Sequence, residues 1–232
     1  MNRKLVFWTA FNSYRSDKLL RNKPKKMPHP VVTDTWTKRR SELFREYNLR
    51  SILNQTYDDF LYIVLLDPKL KYLTDQYLPK LDDERIIYCH EDEPTLERLK
   101  EFDEIVLALI DSDDMYSRDA GELMMACPAE WMYFRLGYAY EVLRDRLWTY
   151  DTIKSGPFFA RRFDPKKLER FDRDKRHPTH KAVIETNPYR LPNNNFCVLL
   201  HEKNTSSTPI MRYVLRRPVN KAILKSTFGI ER

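Results

Sequence analysis

Three carboxylates stand close together near the middle of the chain. Asp111, Asp113 and Asp114 follow one another with only Ser112 between the first two. Carboxylates at this spacing repel one another, and their pKa values rise unless a cation is present. Their hard oxygen atoms suit Mg²⁺ or Mn²⁺, and such a cation can hold a diphosphate and neutralise its charge as it departs. The cluster therefore predicts a divalent-metal site for a phosphorylated ligand.

Two interpretations of the cluster remain open from the residues alone. It follows the apolar segment 104–110, which is typical of a buried strand, and ligands bind beyond the carboxyl ends of strands in open α/β sheets. Serine and aspartate are also good helix N-caps, and acidic groups favour the first helical turn. The same residues could therefore cap a helix over about residues 115–127.

Glycine is scarce and scattered, which excludes several phosphate sites. The chain has only 4 glycines, and Gly121, Gly137, Gly156 and Gly229 all stand far apart. A dinucleotide-binding GxGxxG loop, a Walker A loop and a GxSxG nucleophile elbow all need clustered glycines. A phosphorylated ligand must then be held by metal ions, arginines or helix ends.

Charge and cysteine content indicate which partners and which cellular compartment to expect. Lys and Arg number 41 against 34 Asp and Glu, a net charge of +7, which favours anionic partners. The three cysteines, Cys89, Cys127 and Cys197, show no metal-binding spacing and are expected to be reduced thiols. The apolar segment 5–11 is too short for a membrane span and lacks a cleavage site, so we expect a cytoplasmic protein.

Helical and strand patterns alternate through the first 110 residues. Apolar segments at 5–11, 60–66, 85–88 and 104–110 predict strands, and periodic segments at 37–54, 72–80 and 94–102 predict helices. Residues 12–36 are polar and basic with three prolines, which predicts a long loop. This alternation predicts an α/β fold with a mostly parallel sheet.

The second half is less regular. Short apolar segments at 131–134, 157–163 and 196–200 predict strands. Residues 209–226 combine apolar and basic residues around Pro218 and predict one interrupted helix, which either packs on the domain or lies on a membrane surface.

Several segments together resemble the GT-A glycosyltransferases. Residues 51–60, SILNQTYDDF, followed by an apolar strand and Asp67, resemble the helix and second strand that open this fold. Residues 8–12, WTAFN, resemble the end of its first strand, and residues 111–114 resemble its DxD metal motif. The finer resemblance is to a rhamnosyltransferase-like group and covers residues 5–67, 104–120 and 196–206. It lies in the spacing of Trp36, Arg40, Leu43, Phe44, Tyr47, Ser51, Gln55, His201, Asn204 and Ser206.

This resemblance implies a fold and an activity. The fold would be a three-layer α/β/α sandwich with a mostly parallel central sheet and an irregular C-terminal acceptor half. Residues 1–232 would form a single domain, in which 1–120 bind a nucleotide sugar and 121–232 bind the acceptor. The enzyme would be a metal-dependent hexosyltransferase. It would move a sugar, rhamnose by the group's name, from a nucleoside-diphosphate donor to a saccharide or another hydroxyl acceptor.

The resemblance also implies roles for individual residues. The Mn²⁺ or Mg²⁺ ligands would be Asp111, Asp113 and His201. Arg40 is placed near the donor, where a guanidinium suits a diphosphate. The full set implied to contact the donor is Thr9, Phe11, Asn12, Arg40, Asp67, Asp111 and Ser112.

An inverting enzyme also needs a base near the acceptor hydroxyl. Acidic and histidine side chains of the second half are the candidates, and we take His180 and Glu185 as the predicted catalytic residues. The other candidates are Asp145, Asp151, Asp172 and Asp174. A retaining enzyme needs no separate base in this sense, and the sequence leaves the stereochemistry open.

Two other functions compete with glycosyl transfer. A nucleotidyltransferase could use the same fold and metal, but the lack of any glycine before Gly121 counts against its usual loop. A nucleic-acid-binding protein would explain the positive charge, but the basic residues are scattered among acids and no RRM, KH or zinc pattern occurs. The predicted partners are therefore a nucleotide-sugar donor and a glycan or glycolipid acceptor, and no nucleic acid. If the basic C-terminal segment lies on a membrane rather than on the domain, it would contact the inner face of that membrane.

Overall fold

The computed structural model describes residues 1–12, 34–90, 97–151, 158–167, 183, 186–201 and 214–231. Its centre is a run of four parallel strands, β1 (Arg3–Ala10), β2 (Phe60–Leu65), β3 (Ile86–Cys89) and β4 (Glu104–Leu109). They stand in the order β4-β1-β2-β3. The predicted strands of the first half are confirmed.

The helices of the first half lie between these strands in the chain. α1 (Asp34–Leu43), a π-helical turn (Phe44–Asn48) and α2 (Leu49–Leu53) follow one another without a break. After β2 comes a 3₁₀ turn (Pro68–Leu70) and then α3 (Lys71–Tyr77). Residues 97–100 are helical as well. The helices predicted for 37–54 and 72–80 are confirmed, with small shifts of their ends. The helix predicted for 94–102 is confirmed over residues 97–100, and its first residues, 94–96, lie outside the described part of the chain.

The central strands are apolar on both faces because both faces are covered. Leu5 and Phe7 of β1 belong to one buried cluster, and Val6 and Trp8 belong to a second one. A parallel sheet of this kind produces continuous apolar segments rather than alternating ones. The predicted α/β sandwich with a parallel-rich sheet is therefore confirmed.

The second half adds strands to this sheet and builds another. Its elements are β5 (Met115–Tyr116), α4 (Ala120–Ala126), β6 (Trp131–Tyr133), β7 (Leu136–Glu141), β8 (Arg146–Asp151), β9 (Phe159–Phe163), β10 (Tyr189–Arg190), β11 (Phe196–Leu200), β12 (Val214–Val219) and α5 (Ala222–Phe228). β9 pairs antiparallel with β4 and β6, and β10 joins β6, which gives a seven-stranded sheet. The second sheet has the order β12-β8-β7-β11-β5.

The second sheet packs against the helical segment that follows β1. Leu43 and Tyr47 share a buried cluster with Tyr140 of β7, Leu199 of β11 and Phe228 of α5. The second half is thus more regular than the sequence indicated. The division of a single domain at about residue 120 into donor and acceptor halves stays a prediction.

Two helix predictions are confirmed only in part. Residues 115–127 begin with the strand β5, and the helix α4 starts only at Ala120. In the described part of 209–226, residues 214–219 form β12, which pairs with β8 across a register shift between Val214 and Pro218. β12 is an edge strand, where the missing N–H of a proline is tolerated. Apolar spacing alone did not separate this strand from a helix.

The predicted membrane contact was based on one long basic helix over residues 209–226. In the structure the described part of this range holds β12 and the start of the short helix α5. No helix within the described ranges is both long and apolar enough to cross a membrane.

Two glycines stand where other atoms approach closely, a main-chain carbonyl at Gly137 and side chains at Gly121, and they predict unequal losses of stability on substitution. A Cβ added at Gly137 would stand 2.5 Å from the Phe196 carbonyl oxygen, which belongs to the neighbouring strand β11. At Gly121 the nearest atom is the Leu5 Cδ2, at 2.9 Å, the end of a side chain that can rotate. We expect Gly137→Ala to lower the free energy of unfolding by about 3 kcal/mol and Gly121→Ala by about 1 kcal/mol, measured by urea denaturation. Equal losses would contradict the packing described for β7 and β11.

Candidate functional site

The carboxyl ends of three central strands lie at one edge of the sheet. Ala10 of β1 is opposite Leu65 of β2, and Trp8 is opposite Leu109 of β4. The segments 11–12, 66–67 and 110–114 therefore leave the sheet side by side. This edge is where open α/β sheets bind ligands, and it holds most of the residues that the sequence predicted.

Asn12 and Asp67 are joined directly at this edge. The Asp67 backbone N–H donates to the Asn12 Oδ1 at 2.8 Å, and the Phe11 N–H donates to the Leu65 carbonyl at 3.0 Å. One Asp67 carboxylate oxygen accepts the Lys69 N–H at 2.9 Å, which starts the 3₁₀ turn. Asn12 is buried, and its Nδ2 has no hydrogen-bond acceptor within the described part of the chain. This pair therefore presents a carboxylate and an available amide donor at the sheet edge.

A second group of charged side chains surrounds Asp113. The Arg40 Nη1 contacts the Asp113 Oδ2, and the Arg40 Nε donates to the Ser112 Oγ at 2.8 Å. The His201 Nε2 lies 2.7 Å from the same Asp113 Oδ2. Side-chain exposure is 13% for Arg40, 5% for Asp113 and 0% for His201. We call Arg40, Ser112, Asp113 and His201 the Asp113 cluster.

Aromatic rings connect the two groups. The Arg40 guanidinium lies over the Trp36 ring, with its Cζ 5.8 Å from the ring centroid. The Phe11 ring is 6.4 Å from the same Trp36 ring in an edge-on arrangement. Trp36, one helical turn before Arg40, therefore fixes the position of the guanidinium relative to the end of β1.

Asp113 and Asp114, the two buried carboxylates of the turn 111–114, have opposite pKa shifts. Burial alone would raise the pKa of Asp113, but the charge of Arg40 and the hydrogen bond with His201 hold it below its ordinary value. Burial, together with the negative charges of Asp113 and Asp111, raises the pKa of Asp114 well above its ordinary value. The Asp114 Oδ1 accepts the Leu199 N–H at 2.9 Å. Asp113 is therefore kept as a carboxylate, whereas the protonated form of Asp114 is favoured.

The turn that carries these carboxylates is held by Asn48. Its Nδ2 donates to the Asp111 carbonyl at 3.0 Å and to the Asp114 carbonyl at 2.9 Å, so both ends of the turn share one amide. Its Oδ1 accepts the Tyr62 hydroxyl. Asn48 is the last residue of the π-helical turn, and such turns are frequent at functional sites.

Gln55 holds the next part of the same loop, which gives the SILNQTY segment a structural role. Its Nε2 donates to the Ser51 carbonyl at 3.0 Å and to the Ser117 carbonyl at 2.7 Å. Its Oε1 accepts the Gly121 N–H at 2.9 Å. Gln55, just after α2, thus holds the chain at Ser117 and Gly121, and Asn48 holds the preceding turn at Asp111 and Asp114.

The helix-capping interpretation of the acidic cluster is wrong. Asp114 leads into the strand β5 rather than into a helix, and α4 begins only after Asp119. The cluster therefore stands at the end of β4 as a turn, as the ligand-site interpretation requires.

The predicted metal ligands do not fit a metal ion as they are arranged. Among the described residues, no group of three or more histidine, cysteine, aspartate or glutamate side chains could hold one. Asp113 and His201 are in contact, but Asp111 is exposed, and the Arg40 guanidinium contacts the oxygen that a metal would need. Ligation by Asp111, Asp113 and His201 stays a prediction, and no step of the chemistry is derived through it.

The remaining predicted residues lie elsewhere. Thr9 is buried within β1. His180 and Glu185, the predicted catalytic residues, lie outside the described residues, as do Asp172 and Asp174. Asp151 forms two hydrogen bonds with Arg135, at 3.1 and 3.2 Å, and Asp145 accepts the Tyr140 hydroxyl at 2.7 Å and pairs with Lys221.

Sequence reasoning missed Asn48 and assigned no task to Gln55. A signal for Asn48 was present, because it stands four residues after Phe44 and four before Ile52, on the buried face of the helical segment. A polar side chain on such a face needs a buried partner. The pattern therefore indicated a polar contact, although its partners 63 and 66 residues away were not evident.

Comparisons with known proteins leave the family of this chain open. No protein-family model matches it, and no curated protein does. Among solved structures, S. aureus TarS 1–349 in complex with UDP has a TM-score of 0.40 and 9% identity, over 86% of this chain and 61% of that one. TarS 1–349 with UDP-GlcNAc has a TM-score of 0.38 and 12% identity, over 88% and 61%.

HddC from Yersinia pseudotuberculosis has a TM-score of 0.31 and 14% identity, over 86% of this chain and 90% of that one. The chain thus spans about three fifths of TarS 1–349, at 61%. At this level of similarity no activity and no ligand is transferred to the chain.

The Gln55 contacts predict a strong effect of an isosteric change. Gln55→Glu removes the amide hydrogens that bind Ser51 and Ser117 and places a carboxylate against two carbonyl oxygens. We expect a loss of about 3 kcal/mol in the free energy of unfolding at neutral pH, measured by urea denaturation.

The loss should shrink as the pH falls. The introduced carboxyl group would have a raised pKa in the folded state, so its protonated form, which can donate one hydrogen bond, is stabilised at low pH. Gln76→Glu on the exposed side of α3 is the matched control and should change little. Equal effects at both positions would contradict the role given to Gln55.

Proposed function

We propose that this chain is a glycosyltransferase that uses a nucleoside-diphosphate sugar as donor. The observation that carries the proposal is the arrangement at the carboxyl edge of the parallel sheet. Asn12 and Asp67 form a polar pair there, and the Asp113 cluster lies beside it, linked through Trp36. A nucleoside needs hydrogen-bonding groups, and a diphosphate needs a cation nearby, and this edge offers both.

The sequence resemblance supports the same assignment. The segments that resemble GT-A glycosyltransferases are residues 8–12, 51–60 and 111–114. Two of them, residues 8–12 and 111–114, end at this edge. The third, residues 51–60, holds the loop after residues 111–114 through the contacts of Gln55 with Ser117 and Gly121. Rhamnose as the sugar rests on the group's name alone and stays a prediction.

The proposed reaction breaks the bond between the sugar C1 and a diphosphate oxygen and forms a bond between C1 and an acceptor oxygen. The diphosphate leaves with the electron pair of the broken bond, and the acceptor hydroxyl proton passes to a base. Positive charge fixed near the departing oxygens gives the largest electrostatic contribution in reactions of this type. From the described part of the site, Arg40 would supply such a charge, and Asp67 and Asn12 would orient the nucleoside. His180 and Glu185 stay the predicted bases.

The divalent ion expected from the sequence is not part of this proposal, because the ligands do not fit it as they are arranged. The acceptor is proposed only as a saccharide or another hydroxyl compound. Membrane contact of the acceptor site stays a prediction.

Donor binding is tested first on the wild-type chain. We expect a nucleoside diphosphate, and its sugar conjugate, to raise the melting temperature in a thermal-shift screen, because a ligand that binds only the folded state stabilises it. If RNA binds with steep salt dependence and no nucleotide sugar does, a nucleic-acid-binding protein is favoured instead. Formation of pyrophosphate from a nucleoside triphosphate and a sugar phosphate would favour a nucleotidyltransferase.

Asp67→Asn then tests the proposed nucleoside contact. The amide keeps an oxygen that can accept the Lys69 N–H, so the 3₁₀ turn should persist while the negative charge is lost. We expect the donor Kd, measured by calorimetry, to rise about tenfold or more, since a hydrogen bond to a charged group contributes about 1.5–3 kcal/mol. Asp82→Asn is the matched control, because Asp82 is exposed and precedes β3 at the opposite edge of the sheet. An unchanged Kd in Asp67→Asn would remove Asp67 from the donor site.

A further inference from the structure

The Arg40 guanidinium lies against the turn 111–114 at the carboxyl edge of the sheet. Its Nε is bound to the Ser112 Oγ, its Nη1 to the Asp113 Oδ2, and its plane lies near the Trp36 ring. With 13% of the side chain exposed, it is held by contacts on several sides. A guanidinium also stays protonated under all ordinary conditions. This position therefore carries one permanent positive charge.

The Asp113 carboxylate already has its partners. One oxygen, Oδ2, is in contact with Arg40 and with the His201 Nε2. A divalent ion at this oxygen would have to take the place of the guanidinium, and it would stand next to a fixed positive charge. Such a charge disfavours a second cation nearby, most strongly where burial lowers the screening by water.

Among the described residues, no third protein ligand stands beside the Asp113–His201 pair, so an ion held there would keep most of its coordination to water. Asp111, the other predicted ligand, is exposed, and its carbonyl rather than its carboxylate is held by Asn48. Asp114 is turned to the Leu199 N–H of β11. Neither side chain forms a group with Asp113 and His201 that could surround a metal ion.

We infer that Arg40 takes the place of the divalent cation at the Asp113 cluster, and that the chain binds a nucleoside diphosphate without a metal ion. This inference rests on the proposed function for its ligand, but its claim about the cation does not. Arg40 prevents divalent ions from binding to Asp113 and His201, and its removal allows them to bind there. The positive charge near the diphosphate is then that of Arg40 in α1 and not that of a dissociable metal ion.

The first test uses Mn²⁺ alone as the probe. Wild-type chain, Arg40→Met, Arg40→Lys and the double variant Arg40→Met with Asp113→Asn are titrated with Mn²⁺, and binding is followed by calorimetry and by the electron paramagnetic resonance of free Mn²⁺. We expect no saturable Mn²⁺ site in the wild type or in Arg40→Lys, which keeps the charge. Arg40→Met should gain one site, and the double variant should lose it again. Arg50→Met, on the exposed face of α2, is the matched control and should behave as the wild type.

Two results would overturn the inference. One is a Mn²⁺ site in the wild type that Asp113→Asn abolishes, and the other is an Arg40→Met variant that is folded by circular dichroism but gains no site. The single variant Asp113→Asn is therefore titrated as well. Both it and the wild type keep Arg40, so a folding failure of Arg40→Met would not leave the matter undecided.

The second test measures nucleoside-diphosphate binding to the wild type with excess chelator and with Mn²⁺. We expect Kd values that agree within about twofold, and a Kd at least about tenfold higher for Arg40→Met in chelator, as expected for loss of a charge-assisted contact. Binding that needs Mn²⁺ would overturn the inference and leave the proposed function intact. If no nucleoside diphosphate binds under either condition, the proposed function fails, and the Mn²⁺ titrations still decide whether Arg40 prevents divalent ions from binding to Asp113 and His201.

Discussion

The hydrogen bonds of one buried amide decide the shape of the site. A turn that leaves the end of a buried strand carries carbonyl groups that need partners, and an unpaired buried carbonyl is costly. Asn48 supplies both hydrogens of its amide to the carbonyls of Asp111 and Asp114, and the Tyr62 hydroxyl fixes the orientation of that amide from the other side. The turn is thus closed by the helical segment that packs over the sheet. Because Arg40 lies on the same segment, one element positions both the carboxylates and the cation that neutralises Asp113.

The same constraint explains why repulsion among three neighbouring carboxylates does not destabilise the turn. Asp111 is exposed to solvent, where water screens its charge. Asp113 is neutralised by Arg40, and Asp114 lies in an environment that favours its protonated form and gives it the Leu199 N–H as a donor. The three aspartates therefore differ in how their charge is accommodated. The direction in which the turn points each side chain decides which of these environments it meets. The second sheet takes part in this arrangement, because Leu199 and His201 come from β11 and the residue that follows it.

The sequence predicted those parts of this arrangement that depend on local pattern. The strands β1, β2 and β4 were evident because burial on both faces leaves long apolar segments, and the place of residues 111–114 at a strand end followed directly. β7 and β8 were missed, since their sequences, LGYAYE and RLWTYD, mix aromatic and polar residues. β12 was taken for part of a helix, because its edge position depends on pairing with β8, 64 or more residues earlier. The ion pair of Arg40 with Asp113 spans 73 residues and depends on how α1 packs, which no local pattern shows.

The buried pair of Arg40 and Asp113 is hard to explain by stability alone. Removing two charges from water costs several kcal/mol each, and their attraction repays this only in part, so apolar residues of similar volume often serve a fold as well or better. A pair of this kind is therefore better explained by a charge that is needed at a defined place. The further contacts of Arg40 with Ser112 and Trp36 hold the guanidinium in one orientation, which an ion pair alone does not require. A planar guanidinium presents its N–H groups in a fixed fork that matches phosphate oxygens. The scarcity of glycine is consistent with this, because a chain that holds a diphosphate by an oriented arginine at a sheet edge needs no glycine-rich loop to surround it.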